Sequence, residues 1–185
     1  MKKYDCIFLD RDGTINSDSG YITTMKDFKL YDFTIPALKK LARLGFKFCI
    51  ITNQSGVNRG IIKKEDLLSI HNYVQQIFEE SQIPLLKIYT CFDHPDHSTE
   101  RRKPGSGMFY EAKNDFGFDL KNCLMIGDSY ADIKAGTLLE MDTMLVLTGH
   151  GQKTLDILEK NVPPTYVARD LNDGVEKLCL WKLEY

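Results

Sequence analysis

CIFLDRDGT, residues 6–14, places two aspartates directly after a short apolar run of β-favouring residues. Such a continuous run is typical of a strand buried on both faces of a parallel sheet. Asp10 and Asp12 follow at the strand end, where open α/β sheets bind ligands. Alternate residues of an extended chain lie on one side, so the two carboxylates would converge, and a proton or Mg²⁺ would relieve their repulsion. A solvated turn that ends a strand at Gly13 is equally consistent with this segment alone.

Three more segments repeat this order, in which a strand-like run leads into polar residues. In chain order they are residues 46–51 with Thr52-Asn53-Gln54-Ser55-Gly56, residues 85–90 with the loop that reaches Lys103, and residues 123–126 with Gly127-Asp128-Ser129. If right-handed helical crossovers join these strands in parallel, their carboxyl ends lie along one edge of the sheet. That edge collects three aspartates, a hydroxyl and a lysine, which together suit phosphoryl transfer.

The segments between these runs have the apolar period of helices. Helices are predicted at Leu38–Leu44, at Leu67–Phe78, at Met108–Phe116 with Ser106 as N-cap and Gly117 as stop, and at Tyr130–Leu139, and a fifth strand at Thr143–Thr148. We therefore predict an α/β fold with a doubly wound, mostly parallel sheet, in one domain over residues 1–185. The 42 positions from Asp10 to Thr52 and the 51 from Thr52 to Lys103 are filled by one crossover each, so no separate cap domain is expected.

Composition excludes several classes of protein. The net charge of −2 provides no basic face for a nucleic acid, so we expect no nucleic-acid partner. The longest apolar stretch is too short for a membrane span, and the N-terminal one is too short for a signal peptide, so a cytoplasmic location is expected. The five cysteines are interpreted as small core hydrophobes in a reducing compartment. We expect a monomer that acts on a small molecule.

The motifs resemble those of a known superfamily. DRDGT at 10–14, the strand-end Thr52, Lys103-Pro104 before a helix, and GDSYAD at 127–132 look like the four motifs of haloacid dehalogenase-like phosphatases. Within that superfamily, the chain is similar to the D-glycero-D-manno-heptose-1,7-bisphosphate 7-phosphatases through three stretches. They are DSGY at 18–21, TNQSGVNRG at 52–60 and RKP at 102–104. The related histidinol-phosphate phosphatases share DRDGT, TNQ and RKP but usually lack the SGxxRG continuation.

The chemistry and the resemblance together imply a role for each motif residue. Asp10 is the candidate nucleophile, which would form an aspartyl-phosphate, and Asp12 is the candidate general acid and base. The resemblance implies Mg²⁺ bound by Asp10, Asp128 and the backbone carbonyl of Asp12. Thr52 and Lys103 are expected to donate hydrogen bonds to the phosphoryl oxygens.

Other residues are predicted to contact the substrate or to support the metal. The substrate-binding candidates are Asp18, Ser19, Gly20, Tyr21, Asn53, Gln54, Ser55, Arg59, Arg102 and Ser129. For Tyr21 and Arg59 an ordinary exposed loop position is the alternative interpretation. Asp132, four residues after Asp128, either supports the metal site or is an ordinary acid at a helix N-terminus.

These assignments predict a Mg²⁺-dependent phosphatase that acts on a small phosphorylated sugar, most simply a heptose 1,7-bisphosphate. The alternatives are a histidinol-phosphate phosphatase, a polynucleotide 3′-phosphatase, and a receiver-like domain that accepts a phosphoryl group without turnover. A receiver has no use for an acid two residues after the phosphorylated aspartate, so Asp12 favours an enzyme. The polynucleotide enzyme would need a basic groove with stacking aromatics.

The loop after residue 90 departs from the pattern of the heptose phosphatases, which commonly hold a structural zinc ion there. Cys91 is kept, but three other ligand positions carry residues other than Cys or His, namely Asp93, Thr99 and Arg101. His94 and His97 could join Cys91, but this spacing without a second thiolate is a weak zinc signal, and we expect no zinc. Ser129 is a second departure, because the heptose enzymes tend to carry lysine after the metal-binding aspartate.

Overall fold

A six-stranded sheet lies at the centre of the computed structural model, which describes residues 2–18, 20–158 and 162–180. Its strands are β1 (Cys6–Leu9), β2 (Phe48–Asn53), β3 (Leu85–Cys91), β4 (Cys123–Gly127), β5 (Asp142–Val146) and β6 (Tyr166–Ala168). The strand order is β3-β2-β1-β4-β5-β6, and every neighbouring pair is parallel. The predicted doubly wound α/β sheet is confirmed.

Helices cover both faces of the sheet. They are α1 (Thr34–Arg43), α2 (Lys64–Glu80), α3 (Gly107–Phe116), α4 (Tyr130–Leu138), α5 (Gly151–Ile157) and α6 (Leu171–Leu180). Ile7 and Leu9 of β1 pack in a core with α1, α2 and α6, whereas Cys6 and Phe8 pack in a second core with α3 and α4. Because successive side chains of a strand point to opposite faces, burial of both faces requires the continuous apolar run of β1.

Two helix ends follow the predicted signals and one differs. Gly45 and Gly117 follow α1 and α3 with φ angles of 88° and 73°, a left-handed conformation that glycine adopts without steric cost. Ser106 precedes α3 as predicted, but its side chain makes no capping hydrogen bond. The reason is its backbone, which is already helical, whereas a capping residue is usually extended.

The register of the sheet brings the carboxyl ends of β1, β2 and β4 together at one edge. Leu9, the last residue of β1, lies beside Ile50 of β2 and Ile126 of β4. The chain then leaves the sheet at Asp10, whose N–H donates to the carbonyl of Ile126 at 2.9 Å. In the described part of the chain, the connections after β1, β2 and β3 carry no separate cap domain. None of the described helices is both long and apolar enough to cross a membrane.

Candidate active site

Three buried aspartates meet at the carboxyl edge of the sheet. Asp10 follows β1, Asp128 follows β4, and Asp132 lies in the first turn of α4. One carboxylate oxygen from each lies within 4.8 Å of the others. Three negative charges this close repel strongly away from water, so the cluster requires compensating positive charge.

Lys103 supplies one such charge. Its Nζ lies 2.7 Å from Asp10 Oδ1 and 2.6 Å from Asp132 Oδ1, and it donates to the carbonyl of Ile51 at 2.6 Å. Burial alone would lower the pKa of this lysine, but the two carboxylates raise it overall. Asn53 fixes the backbone of Lys103, since its side chain accepts from the Lys103 N–H and donates to the Lys103 carbonyl, both at 3.1 Å.

One ammonium does not balance three carboxylates. Burial raises the pKa of Asp10 to about 7, although Lys103 opposes the shift. Burial and the neighbouring carboxylates of Asp10 and Asp132 raise the pKa of Asp128 to about 8. The protein alone therefore disfavours full ionisation of these oxygens at neutral pH. A divalent cation would supply the missing charge, and a set of carboxylate oxygens is the donor set that Mg²⁺ prefers, so the residues fit this metal.

The loop after β1 packs tightly against Asp128. Gly13 and Gly149 have φ angles of 82° and 54°, and a Cβ at either position would overlap Asp128 Oδ2. The N–H of His150 donates to the same oxygen at 2.7 Å. Thr148 Oγ1 donates to the carbonyl of Gly13 at 2.5 Å and joins the two loops. The glycine of the DRDGT motif is therefore required by close contact with the carboxylate, beyond its use as a turn residue.

The carboxylate of Asp12 does not join the aspartate cluster, although sequence reasoning expected it to converge with that of Asp10. The physical reason is a set of three donor side chains outside the cluster. Its two oxygens accept hydrogen bonds from side chains of the surrounding loops, namely Arg11, Asn16 and Gln54. Asp12 nevertheless lines the same cleft as Asp10. The cluster gains Asp132 instead, for which the sequence left two interpretations open.

The cleft above the cluster has a volume of about 280 Å³ and is open to solvent. The four predicted catalytic residues and Asp128 all line it. Eight of the ten predicted substrate-binding residues also line it, namely Asp18, Gly20, Tyr21, Asn53, Gln54, Ser55, Arg102 and Ser129. Ser19 lies outside the described residues. Arg59 does not line the cleft, since its guanidinium donates to the hydroxyl of Tyr21 and lies over the Tyr21 ring.

Two of the predicted substrate-binding side chains donate hydrogen bonds to side chains of the catalytic cluster or its neighbours. Gln54 Nε2 donates to Asp12 Oδ2 at 2.7 Å and to Thr52 Oγ1 at 2.9 Å. The Oγ and the backbone N–H of Ser129 both donate to Asp132 Oδ2, at 2.6 and 3.0 Å, at the N-terminus of α4. Asp132 therefore combines both interpretations that the sequence left open, because it caps α4 and pairs with Lys103.

Sequence reasoning missed one polar side chain of the cleft, His150, besides the apolar Ile22 and Ile62. Its Nε2 lies 3.1 Å from Asp18 Oδ2, and the side chain is 63% exposed. This pair joins the loop after β5 to the segment after β1. The signal that could have found His150 is the same one that found Asp128, namely a polar residue shortly after the end of a buried strand.

The loop that resembles a zinc loop is held by side-chain hydrogen bonds. Asp93 Oδ2 accepts from the N–H of Thr99 at 2.8 Å and from its hydroxyl at 2.6 Å. The rings of His94 and His97 lie 6.1 Å apart, and Cys91 is buried. Among the side chains described, the aspartate cluster is the group of three or more His, Cys, Asp or Glu residues whose ligand atoms lie close enough to hold a metal ion.

Comparison with known proteins identifies many relatives. A family model described as HAD-hydrolase-like matches residues 100–174. The chain is 38% identical over 151 residues to the D-glycero-beta-D-manno-heptose-1,7-bisphosphate 7-phosphatase of Photorhabdus laumondii, which covers 77% of this chain and 80% of the relative. It is 33% identical over 188 residues to the D-glycero-D-manno-heptose-1,7-bisphosphate 7-phosphatase of Chlorobaculum tepidum, with 95% and 94% covered.

A solved structure shares the whole fold. The crystal structure of D,D-heptose 1,7-bisphosphate phosphatase from B. bronchiseptica, complexed with magnesium and phosphate, superposes with a TM-score of 0.86. The two chains are 29% identical, and the match covers 95% of this chain and 98% of the other.

Proposed function

The chain belongs to the haloacid dehalogenase-like phosphatases, and we propose that it removes the 7-phosphate of a heptose 1,7-bisphosphate with the aid of Mg²⁺. As a member of this family it is a phosphoric monoester hydrolase. The observation that carries the proposal is the buried contact of Lys103 with Asp10 at the floor of the open cleft. This contact puts a candidate nucleophile beside a fixed cation, and the carboxylates of Asp128 and Asp132 lie next to them.

The proposed reaction proceeds in two steps. Asp10 attacks phosphorus and takes up the phosphoryl group, while Asp12 gives a proton to the leaving sugar oxygen. Water then attacks the aspartyl-phosphate, and Asp12 takes a proton from that water, which restores both residues and releases phosphate. Thr52 and Lys103 donate to the phosphoryl oxygens, and the positive charge of Lys103 stabilises the charge that develops on them.

Asp10 and Asp128 would hold Mg²⁺ through their carboxylates, with the backbone carbonyl of Asp12 as a further ligand. When bound, the metal ion supplies positive charge to the phosphoryl oxygens. Asp132 lies within the same cluster, and in this proposal its main task is to hold Lys103. No zinc is needed.

The substrate proposal is supported by the names of the relatives and by the cleft. The second phosphate of a bisphosphate has to be held away from the metal, and in an uncapped site loop cations must hold it. Arg102 directly precedes Lys103, lines the cleft, and uses Nη1 to donate to the carbonyl of Asp93 at 3.1 Å. The rest of its guanidinium fork suits a phosphate or a pair of ring hydroxyls.

We propose a cytoplasmic location as well, supported by the five cysteines, all of which are free thiols. A monomeric state and a single domain over residues 1–185 stay predictions.

The test is phosphate release from three substrates with Mg²⁺ or with a chelator. Heptose 1,7-bisphosphate should give the highest kcat/KM, above histidinol phosphate and a 3′-phosphorylated oligonucleotide, and the chelator should remove the activity. Asp10→Asn should lower kcat by about 1,000-fold or more, as expected for loss of a nucleophile. Asp115→Asn, an isosteric change of an exposed aspartate that does not line the cleft, is the matched control and should keep full activity.

Each alternative predicts a different outcome. Preference for histidinol phosphate or for the oligonucleotide would overturn the substrate proposal. Near-normal activity of Asp10→Asn would overturn the mechanism. If the unmutated protein took up one phosphoryl group per chain and released no phosphate, it would be a receiver-like domain.

A further inference from the structure

Arg11 is the largest side chain that the structure buries completely, with 1% of its surface exposed. It stands between the two aspartates of the DRDGT motif, yet it does not line the cleft, and the proposed reaction does not use it. A guanidinium removed from water is costly unless matched acceptors surround it. Its surroundings therefore indicate what it does.

The guanidinium of Arg11 grips the carboxylate of Asp12. Nε donates to Asp12 Oδ1 at 3.0 Å, and Nη2 lies 2.8 Å from both carboxylate oxygens. Neighbouring side chains of an extended strand point to opposite sides, so this contact requires the turn that follows β1. A planar fork fixes both the position and the plane of a carboxylate, which a lysine ammonium cannot do.

The other side of Arg11 is fixed by α2. Nη1 lies 3.2 Å from Nε2 of His71, a buried residue of that helix. Because a guanidinium has donors only, His71 Nε2 accepts and the imidazole is neutral. Burial and the adjacent guanidinium lower the pKa of His71 to about 4. This low pKa is consistent with a neutral imidazole. The ring centre of Phe28 lies 6.0 Å from the guanidinium carbon and confines it from a third direction.

The remaining partners of Asp12 are two neutral amides. Asn16 Nδ2 donates to Oδ1 at 2.9 Å, and Gln54 Nε2 donates to Oδ2 at 2.7 Å. These donors define a single orientation of the ionised carboxylate, and when Asp12 carries the proton, the contact with the neutral Gln54, which lines the cleft, is the one that has to open. Arg11 is the charged member of this set and the one that is anchored to a helix outside the cleft.

We propose that Arg11, backed by His71, is a positioning residue that holds the carboxylate of Asp12 in the orientation from which it exchanges a proton with the leaving oxygen. This inference rests on the proposed function, in which Asp12 is the general acid. It predicts that loss of Arg11 lowers kcat/KM most for substrates whose leaving group has to be protonated.

The experiment compares two leaving groups in Arg11→Met, which keeps an apolar stem but removes the fork. The sugar alkoxide of heptose 1,7-bisphosphate must be protonated as it leaves, whereas the nitrophenolate of 4-nitrophenyl phosphate leaves as an anion. Since general acid catalysis contributes about 100- to 10,000-fold, kcat/KM should fall by about 30-fold or more on the sugar phosphate. On the aryl phosphate kcat/KM should fall by less than about threefold, because no proton is needed there. KM for the sugar phosphate should change little.

Three further variants separate positioning from folding. Arg11→Lys restores the charge without the planar fork and should recover only part of the lost activity. His71→Leu removes the backing of Arg11 and should show the same dependence on the leaving group, with a smaller loss. Val74→Ala, which truncates a buried apolar residue on the same helix, is the matched control. It should lower the melting temperature without any dependence on the leaving group.

Equal losses on the two substrates in Arg11→Met and His71→Leu would overturn the inference, as would unchanged activity on both. If Arg11→Met does not fold, Arg11→Lys and His71→Leu decide by the same criterion. Failure of the proposed function looks different, because the unmutated enzyme would then prefer histidinol phosphate or the oligonucleotide to the sugar phosphate, or Asp10→Asn would keep near-normal activity.

Discussion

Replacing Lys103 by methionine should strongly destabilise the metal-free protein. The lysine side chain is 2% exposed, and its ammonium lies 2.7 Å from Asp10 and 2.6 Å from Asp132. Breaking a buried ion pair leaves uncompensated charge and costs about 3–5 kcal/mol. For a chain of this size, that loss corresponds to a fall in Tm of about 6–20 °C. Lys2→Met is the matched control, since Lys2 lies 2.9 Å from Asp142 but its side chain is 46% exposed, and such a pair contributes about 1 kcal/mol or less.

Thermal unfolding of both variants in the presence of a chelator measures the difference. At pH 8 Lys103→Met should unfold well below the unmutated protein, and at pH 5.5 the gap should narrow because Asp10, whose pKa burial already raises, can take up a proton once its partner is lost. Lys2→Met should stay within a few degrees at both values of pH. Equal changes of Tm in the two variants would refute the argument. They would mean that the buried ion pairs of Lys103 stabilise the protein no more than the exposed ion pair of Lys2.

Three other measurements address the metal, the substrate and the loop after β3. In metal-free protein burial raises the pKa of Asp128 from 3.8 to about 8, so the folded state binds the extra proton and stability should fall as the pH rises through that window. Mg²⁺ should therefore raise the midpoint of urea unfolding more at pH 8 than at pH 5, because it offsets the charge of the ionised carboxylate. Arg102→Ala should cost about 1.5–3 kcal/mol in kcat/KM for heptose 1,7-bisphosphate and less for a small monophosphate, whereas equal costs would mean that Arg102 serves the reacting phosphate. Elemental analysis should find well under one zinc ion per chain, and zinc that disappears in Cys91→Ser would contradict this.

Much of the fold is predictable because the sheet is buried on both faces. The strands β1 and β4 are continuous apolar runs, β2, β3 and β5 are largely apolar, and each of α1 to α3 has an apolar stripe that packs on the sheet. The three-residue strand Tyr166–Ala168 and the helices α5 and α6 were not predicted. A strand of three residues is too short to establish a period, and α5 spans only two turns.

The position of the site is predictable for a similar reason, but side-chain direction is not. Parallel strands share one carboxyl edge, so polar residues after β1, β2 and β4 had to gather there. Which carboxylates then face one another depends on partners that are distant in sequence. Asp12 turns to Gln54, 42 residues away, and Asp132 reaches Lys103, so the cluster of three aspartates differs from the set expected from sequence spacing.

The loop before Lys103 is held by side-chain contacts. Three positions at which the family resemblance implies zinc ligands hold Asp93, Thr99 and Arg101. Asp93 accepts two hydrogen bonds from Thr99 and closes the loop on itself. Arg101 grips Glu111 of α3 at 2.5 and 2.9 Å and donates to the carbonyl of Thr90 in β3 at 3.1 Å. These residues therefore tie the loop to itself, to the helix α3 and to the strand β3. Because this loop directly precedes Lys103, these side-chain contacts also help to place the lysine at the aspartate cluster.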